Sequence, residues 1–173
     1  DATTAPVTRP YAGLATLTAA DSSLFFGRDD LVTTLVDTIL AAACEPAPGG
    51  ATDRGPGARI VVVTGVSGSG KSSLLRAGLA RDRRLETPSH ATVGPAGIRL
   101  DPTDADSGDT PAVIVIDQFE NAFSLEPDAL TSTLLEVERL ARDSVVVLGI
   151  RADFFEQCVE FPLLADAWQS RCV

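Results

Sequence analysis

Hydrophobic positions in this chain form two kinds of run. Between Asp29 and Ala43 they recur at helical spacing, with Leu31, Val32, Leu35, Val36, Ile39 and Leu40 on one stripe and Asp29 and Asp30 ahead of it. That period predicts a helix over 29–43, its acidic residues in the first turn. The other runs are unbroken: RIVVVT at 59–64, AVIVID at 112–117 and SVVVLGI at 144–150. Continuous, β-branched runs suit strands covered on both faces of a parallel sheet. Helical periods return at 71–82, at 128–143 and at 153–168, the last interrupted by Pro162. Strands alternating with helices predict an α/β, three-layer sandwich around a mainly parallel sheet, with right-handed crossovers.

Two polar stretches punctuate this pattern. EPAPGGATDRGPGA, at 45–58, is rich in Pro and Gly and has no apolar period, so it reads as a loop. The chain thus divides into a lead-in with its helix (1–43), a connector (44–58) and a core (59–173). The stretch 83–111 is turn-rich, GIRL is its one plausible short strand, and His90 reads there as a solvated loop residue. The sequence starts at Asp1 and stops in WQSRCV, within a pattern that still reads as helical. It is therefore expected to be a piece of a longer protein, with the core cut short at its C-terminal end.

Composition narrows the class. With 173 residues, 45% apolar and 22% charged, the chain has the balance of a soluble globular domain. No run is long enough to cross a bilayer, and DATTAPVTRPYAG lacks the basic-then-apolar order of a secretion signal, so a cytoplasmic location is expected. A net charge of −10 argues against a broad nucleic-acid footprint. DNA contact is expected only through another domain of the parent protein. Cys44, Cys158 and Cys172 are far apart and odd in number, which reads as reduced thiols. Lys71 is the one lysine among 14 Lys and Arg residues.

That lysine lies in GVSGSGKS, Gly65 to Ser72, which matches G-x-x-x-x-G-K-[ST]. Glycines there admit backbone conformations closed to other residues, so successive N–H groups converge on a polyphosphate at the start of a helix. The candidate phosphate-binding set is Gly65, Ser67, Gly68, Ser69, Gly70, Lys71, Ser72 and Ser73. Lys71 would reach the terminal phosphates and Ser72 would offer a hydroxyl to Mg²⁺. The context agrees, since a β-branched strand precedes the loop and a Leu-rich helix follows it.

A second apolar run ends in Asp117, where an acid would hold the water shell of the metal. Ser72 and Asp117 are thus the candidate metal ligands. Glu120 is either the group that orients an attacking water or an ordinary carboxylate at a helix start. Arg151, ending the third run, either touches the γ-phosphate or is a surface arginine paired with Asp153 or Glu156. Lys71, Glu120 and Arg151 are the candidate catalytic residues. The guanine-reading N-K-x-D needs a second lysine and is absent, as is the serine-glycine signature of transporter ATPases.

Four ordered blocks, RPYAGLATLTAADSSLFFGRDDL, VVVTGVSGSGKSSLLRAGLA, VIVIDQFENAF and VVVLGIRADFF, together resemble the bacterial STAND NTPases of the novel STAND type. The resemblance spans nearly the whole chain. It implies an adenine nucleotide, ATP or ADP with Mg²⁺, and a switch that controls a larger signalling or transcription regulator, such as an antibiotic regulatory protein, and its homo-oligomerisation on activation. It also implies that Phe26, Gly27 and Arg28 pack beside adenine and ribose, and it supports the roles given to Asp117, Glu120 and Arg151. This sequence departs from the family pattern in three ways: 83–111 is short, Asn121 stands where many relatives have a second Glu, and the winged-helix and sensor portions are missing. Two other readings stay open: an assembly module that holds nucleotide without turnover, and a small-molecule kinase, although no arginine-rich lid follows Ala129.

Overall fold

The computed structural model describes residues 16–44, 59–85, 88–101 and 113–173. A 3-10 turn, Ala19–Leu24, leads into α1, Asp29–Ala43. Strand β1, Ile60–Gly65, follows. Helix α2 then passes through three forms, Lys71–Ser73 as α, Leu74–Gly78 as π and Leu79–Arg81 as 3-10. A hairpin, β2 (Ser89–Gly94) and β3 (Gly97–Leu100), precedes β4, Val113–Asp117. After a 3-10 turn at Phe119–Ser124 come α3, Pro127–Asp143, and β5, Val145–Arg151. The 3-10 turn Ala152–Phe154 leads to α4, Phe155–Val159, and then to α5, Pro162–Ser170.

The five strands lie in the order β1-β5-β4-β2-β3, parallel except for β3, which runs antiparallel to β2. Because side chains alternate across a strand, the continuous apolar runs feed two cores. Val61, Val63, Val113, Val115, Val145 and Val147 point to one, shared with Leu35 and Ile39 of α1 and with Leu75 and Leu79 of α2. Ile60, Val62, Ile114, Ile116, Val146 and Leu148 point to the other, with Val137 of α3, Cys158 of α4 and Leu164 of α5. The result is a mostly parallel sheet between two helical layers, as the pattern predicts.

Several boundaries differ from expectation for identifiable reasons. The stretch read as loop holds β2, in which Ser89, Ala91 and Val93 are buried and alternate with more exposed residues. Its small side chains form no apolar run; what makes it a strand is parallel pairing with β4, Ser89 to Ile114 and Thr92 to Asp117. His90 therefore sits in a strand beside Val115 and not in a solvated loop. Pro162 begins α5 at its first turn, where its missing N–H costs nothing, so the period at 153–168 becomes two helices. The last helical pattern closes at Ser170. Beyond it the chain turns along the outer side of β1, with Val62 N donating to Arg171 O and Val173 N to Val62 O, both at 2.9 Å. The connector at 45–58 lies outside the described residues.

Candidate functional site

The geometry begins with the sheet. In parallel strands the carboxyl ends share one edge, and β1 and β5 are paired so that Gly65 lies opposite Arg151. The loop from Val66 to Gly70 therefore starts beside the arginine that ends the neighbouring strand. Gly68 (φ 76°) and Gly70 (φ 82°) adopt left-handed backbone, the conformation for which the motif carries glycine. Gly65 is not in left-handed backbone, and a Cβ there would lie 2.6 Å from Ser69 Oγ, a hydroxyl that would have to turn aside. Loop and helix start line a cavity of about 560 Å³ with Ser67, Gly68, Ser69, Gly70, Lys71, Ser72 and Ser73.

The facing wall comes from the ends of β4 and β5. Gln118, with φ 55°, is the one non-glycine in left-handed backbone among the described residues. Its N–H donates to Asp117 Oδ1 at 2.9 Å. The 3-10 turn that follows brings Glu120 and Asn121 to the same cavity, together with Arg151 and Phe154. Glu120 is only 8% exposed, and its Oε2 is buried without a hydrogen-bond partner. An unsatisfied buried acceptor costs about 1–3 kcal/mol, which a bound ligand or water would recover.

Asp117 is buried at the end of β4 and is not among the residues that line the cavity. Gly149 of β5 makes room for it: a Cβ there would lie 2.9 Å from Asp117 Oδ1 and 2.7 Å from Leu75 Cδ1. Gly→Ala in a strand would ordinarily lower unfolded-state entropy and stabilise. Here we expect Gly149→Ala to destabilise by about 1–3 kcal/mol, the cost of overpacking, as read by the denaturation midpoint.

Arg151 joins both of its expected settings. It lines the cavity, and it also holds Asp153, Nε to Oδ1 at 3.0 Å and Nη2 to Oδ2 at 2.6 Å; Glu156 is not its partner in this pair. The hydrogen bonds from Arg151 hold the Asp153 carboxyl below its usual range, and Asp153, with a lesser contribution from Glu120, raises Arg151. The guanidinium also lies 5.8 Å from the centre of the Phe154 ring.

The lead-in packs behind the loop. Arg28 approaches the phosphate loop so closely that a Cβ on Gly70 would meet its Nη1 at 3.2 Å. Arg28, Gly65, Ser69, Lys71 and Val173 line a smaller cavity of about 150 Å³, so Ser69 and Lys71 face both spaces. Gly27 (φ 78°) and Arg28 border a further surface hollow. Phe26 is 73% exposed and lies on none of these cavities; Arg81 sits 6.0 Å from its ring centre, donates to Phe25 O and pairs with Asp29 at 3.2 Å. Leu17 N donates to Ser73 Oγ at 3.2 Å, so that hydroxyl also anchors the lead-in.

Of the residues singled out in the sequence, Ser67 to Ser73, Glu120 and Arg151 thus meet around one cavity, Gly65 and Arg28 line the small cavity beside the loop, and Asp117 and Phe26 line neither. Thr16, Gln118, Ser124 and Phe154 line the main cavity without having been read from the sequence. Gln118 and Phe154 stand inside quoted blocks, so their proximity to the acid and the arginine was the available signal. Ser72 and Asp117 are hard oxygen donors of the kind Mg²⁺ takes.

No curated protein matches the chain. The family model described as Novel STAND NTPase 1 matches residues 10–105 and 92–173, taking in the lead-in, the phosphate loop and both strand ends of the cavity. The chain belongs to the novel STAND NTPase family.

Proposed function

We propose that this domain binds ATP and ADP with Mg²⁺, hydrolyses ATP slowly, and by its nucleotide state controls activation and homo-oligomerisation of a larger signalling or transcription regulator. One observation carries the reading: a buried carboxylate with an unpartnered oxygen, Glu120, shares a cavity with the phosphate loop and Arg151. Backbone N–H groups of the loop and the Lys71 ammonium would bind the phosphates. Ser72, with Asp117 acting through water, would hold Mg²⁺, which when bound supplies positive charge to the phosphate oxygens. Glu120 would orient a water for attack at the γ-phosphorus, and Arg151 would offset charge on the leaving and transferred oxygens. Such a site can be slow and still useful, because unequal affinity for two states is what shifts a population.

The adenine assignment is supported by the lack of any second lysine for a guanine motif. Chromatography of nucleotide released from the native full-length protein is expected to give ADP or ATP; GTP would overturn it. Asn121, a neutral group on the cavity wall, favours a second reading in which nucleotide is held for assembly without turnover. Phosphate release by the unaltered protein no faster than from Mg-ATP in buffer alone would select that reading. In neither case is contact with DNA assigned to this domain. Among the described residues no helix is long and apolar enough to cross a membrane.

A further inference from the structure

We infer that Asp153 is a positioning residue that sets Arg151 to distinguish a nucleoside triphosphate from a diphosphate. The inference rests on the nucleotide reading above and adds to it how the arginine is aimed. An arginine at a strand end has four rotatable side-chain bonds, and held loosely it would lose much of its free-state entropy on meeting an anion. Here two contacts constrain it before any ligand arrives. The Nε and Nη2 edge is taken by the two Asp153 oxygens, at 3.0 and 2.6 Å, and the plane lies near the Phe154 ring.

A guanidinium carries five N–H donors, and this side-on pairing uses one from Nε and one from Nη2. The donors of Nη1 and the second of Nη2 remain on a side chain that lines the cavity opposite the phosphate loop. Asp153 itself does not line that cavity, so it touches the ligand only through Arg151. Both side chains are partly exposed, 41% for Arg151 and 56% for Asp153. Solvent screening keeps the stability gained from so exposed a pair small, and its bidentate geometry acts chiefly on the orientation of the guanidinium.

The test is the ratio of affinities for a non-hydrolysable Mg-ATP analogue and for Mg-ADP, measured by titration calorimetry on the full-length protein. Arg151→Ala is expected to lower the triphosphate preference about tenfold or more, the usual effect of deleting a charge-assisted hydrogen bond. Asp153→Ala is expected to lower it about three- to tenfold with ADP affinity unchanged, since only the aim of the arginine is lost. Asp153→Asn, which keeps one acceptor for Nε, should restore part of the preference. In the Arg151→Ala background Asp153→Ala should have no further effect.

A purely structural role for Asp153 would lower thermal stability and leave the ratio alone, which would overturn the inference. A gain in triphosphate affinity in Asp153→Ala would overturn it too, because Asp153 would then compete with the phosphate. If Asp153→Ala fails to fold, the Asp153→Asn ratio decides alone. An unchanged ratio in Arg151→Ala, or no binding of either nucleotide by the unaltered protein, would instead bring down the underlying nucleotide reading, and this inference with it.

Discussion

Lys71→Ala is expected to weaken binding of both ATP and ADP at least about a hundredfold while leaving the fold intact. A charge-assisted hydrogen bond contributes about 1.5–3 kcal/mol, and an ammonium reaching two phosphate groups makes more than one, with about 1.4 kcal/mol for each factor of ten. No other lysine can substitute, because the chain has none. Lys71 begins α2 directly after Gly70 and lines both the main cavity and the small one against Arg28. It belongs to neither hydrophobic core, so the thermal midpoint should move little. Lys71→Arg is expected to rescue poorly, since a planar guanidinium is bulkier and aims its donors differently. Titration calorimetry with Mg-ATP and Mg-ADP reads both variants, and undiminished ATP affinity in Lys71→Ala would sink the nucleotide reading.

Glu120→Gln should separate binding from turnover. The amide keeps the size of the carboxylate and removes its charge, at a position that is 8% exposed and has one oxygen without a partner. ATP affinity should hold or rise slightly, as one negative charge facing the phosphates is lost. Phosphate release should fall about a hundredfold or more, the usual contribution of a positioned general base. Release that is unchanged in this variant would return Glu120 to the ordinary role of a carboxylate in the first turn after Gln118.

Much of the fold was readable because its signals are local. The stripe from Leu31 to Leu40 became α1 over the expected residues, and three β-branched runs became three adjacent strands, β1, β5 and β4. Strand β2 escaped because Ser89, Ala91 and Thr92 have no local pattern that outweighs the turn residues around them; pairing with β4 supplied the missing preference. The candidate site divides the same way. Its loop was legible because left-handed backbone at Gly68 and Gly70 demands glycine in any context. Gln118 was not marked for its left-handed backbone, because asking a side chain to bear φ 55° is a tertiary decision.

By itself the sequence determined α1, the strands β1, β4 and β5, the glycine pattern of the loop after β1, and the family to which the residues point, since these depend on residue type and spacing along the chain. The tertiary structure alone decided that Gly65 faces Arg151 across two strands 86 residues apart in number, that Glu120 enters a shared cavity, and that Arg151 is already held by Asp153. Strand order in a sheet is set by how the whole set of apolar faces is covered, and no local window carries that information.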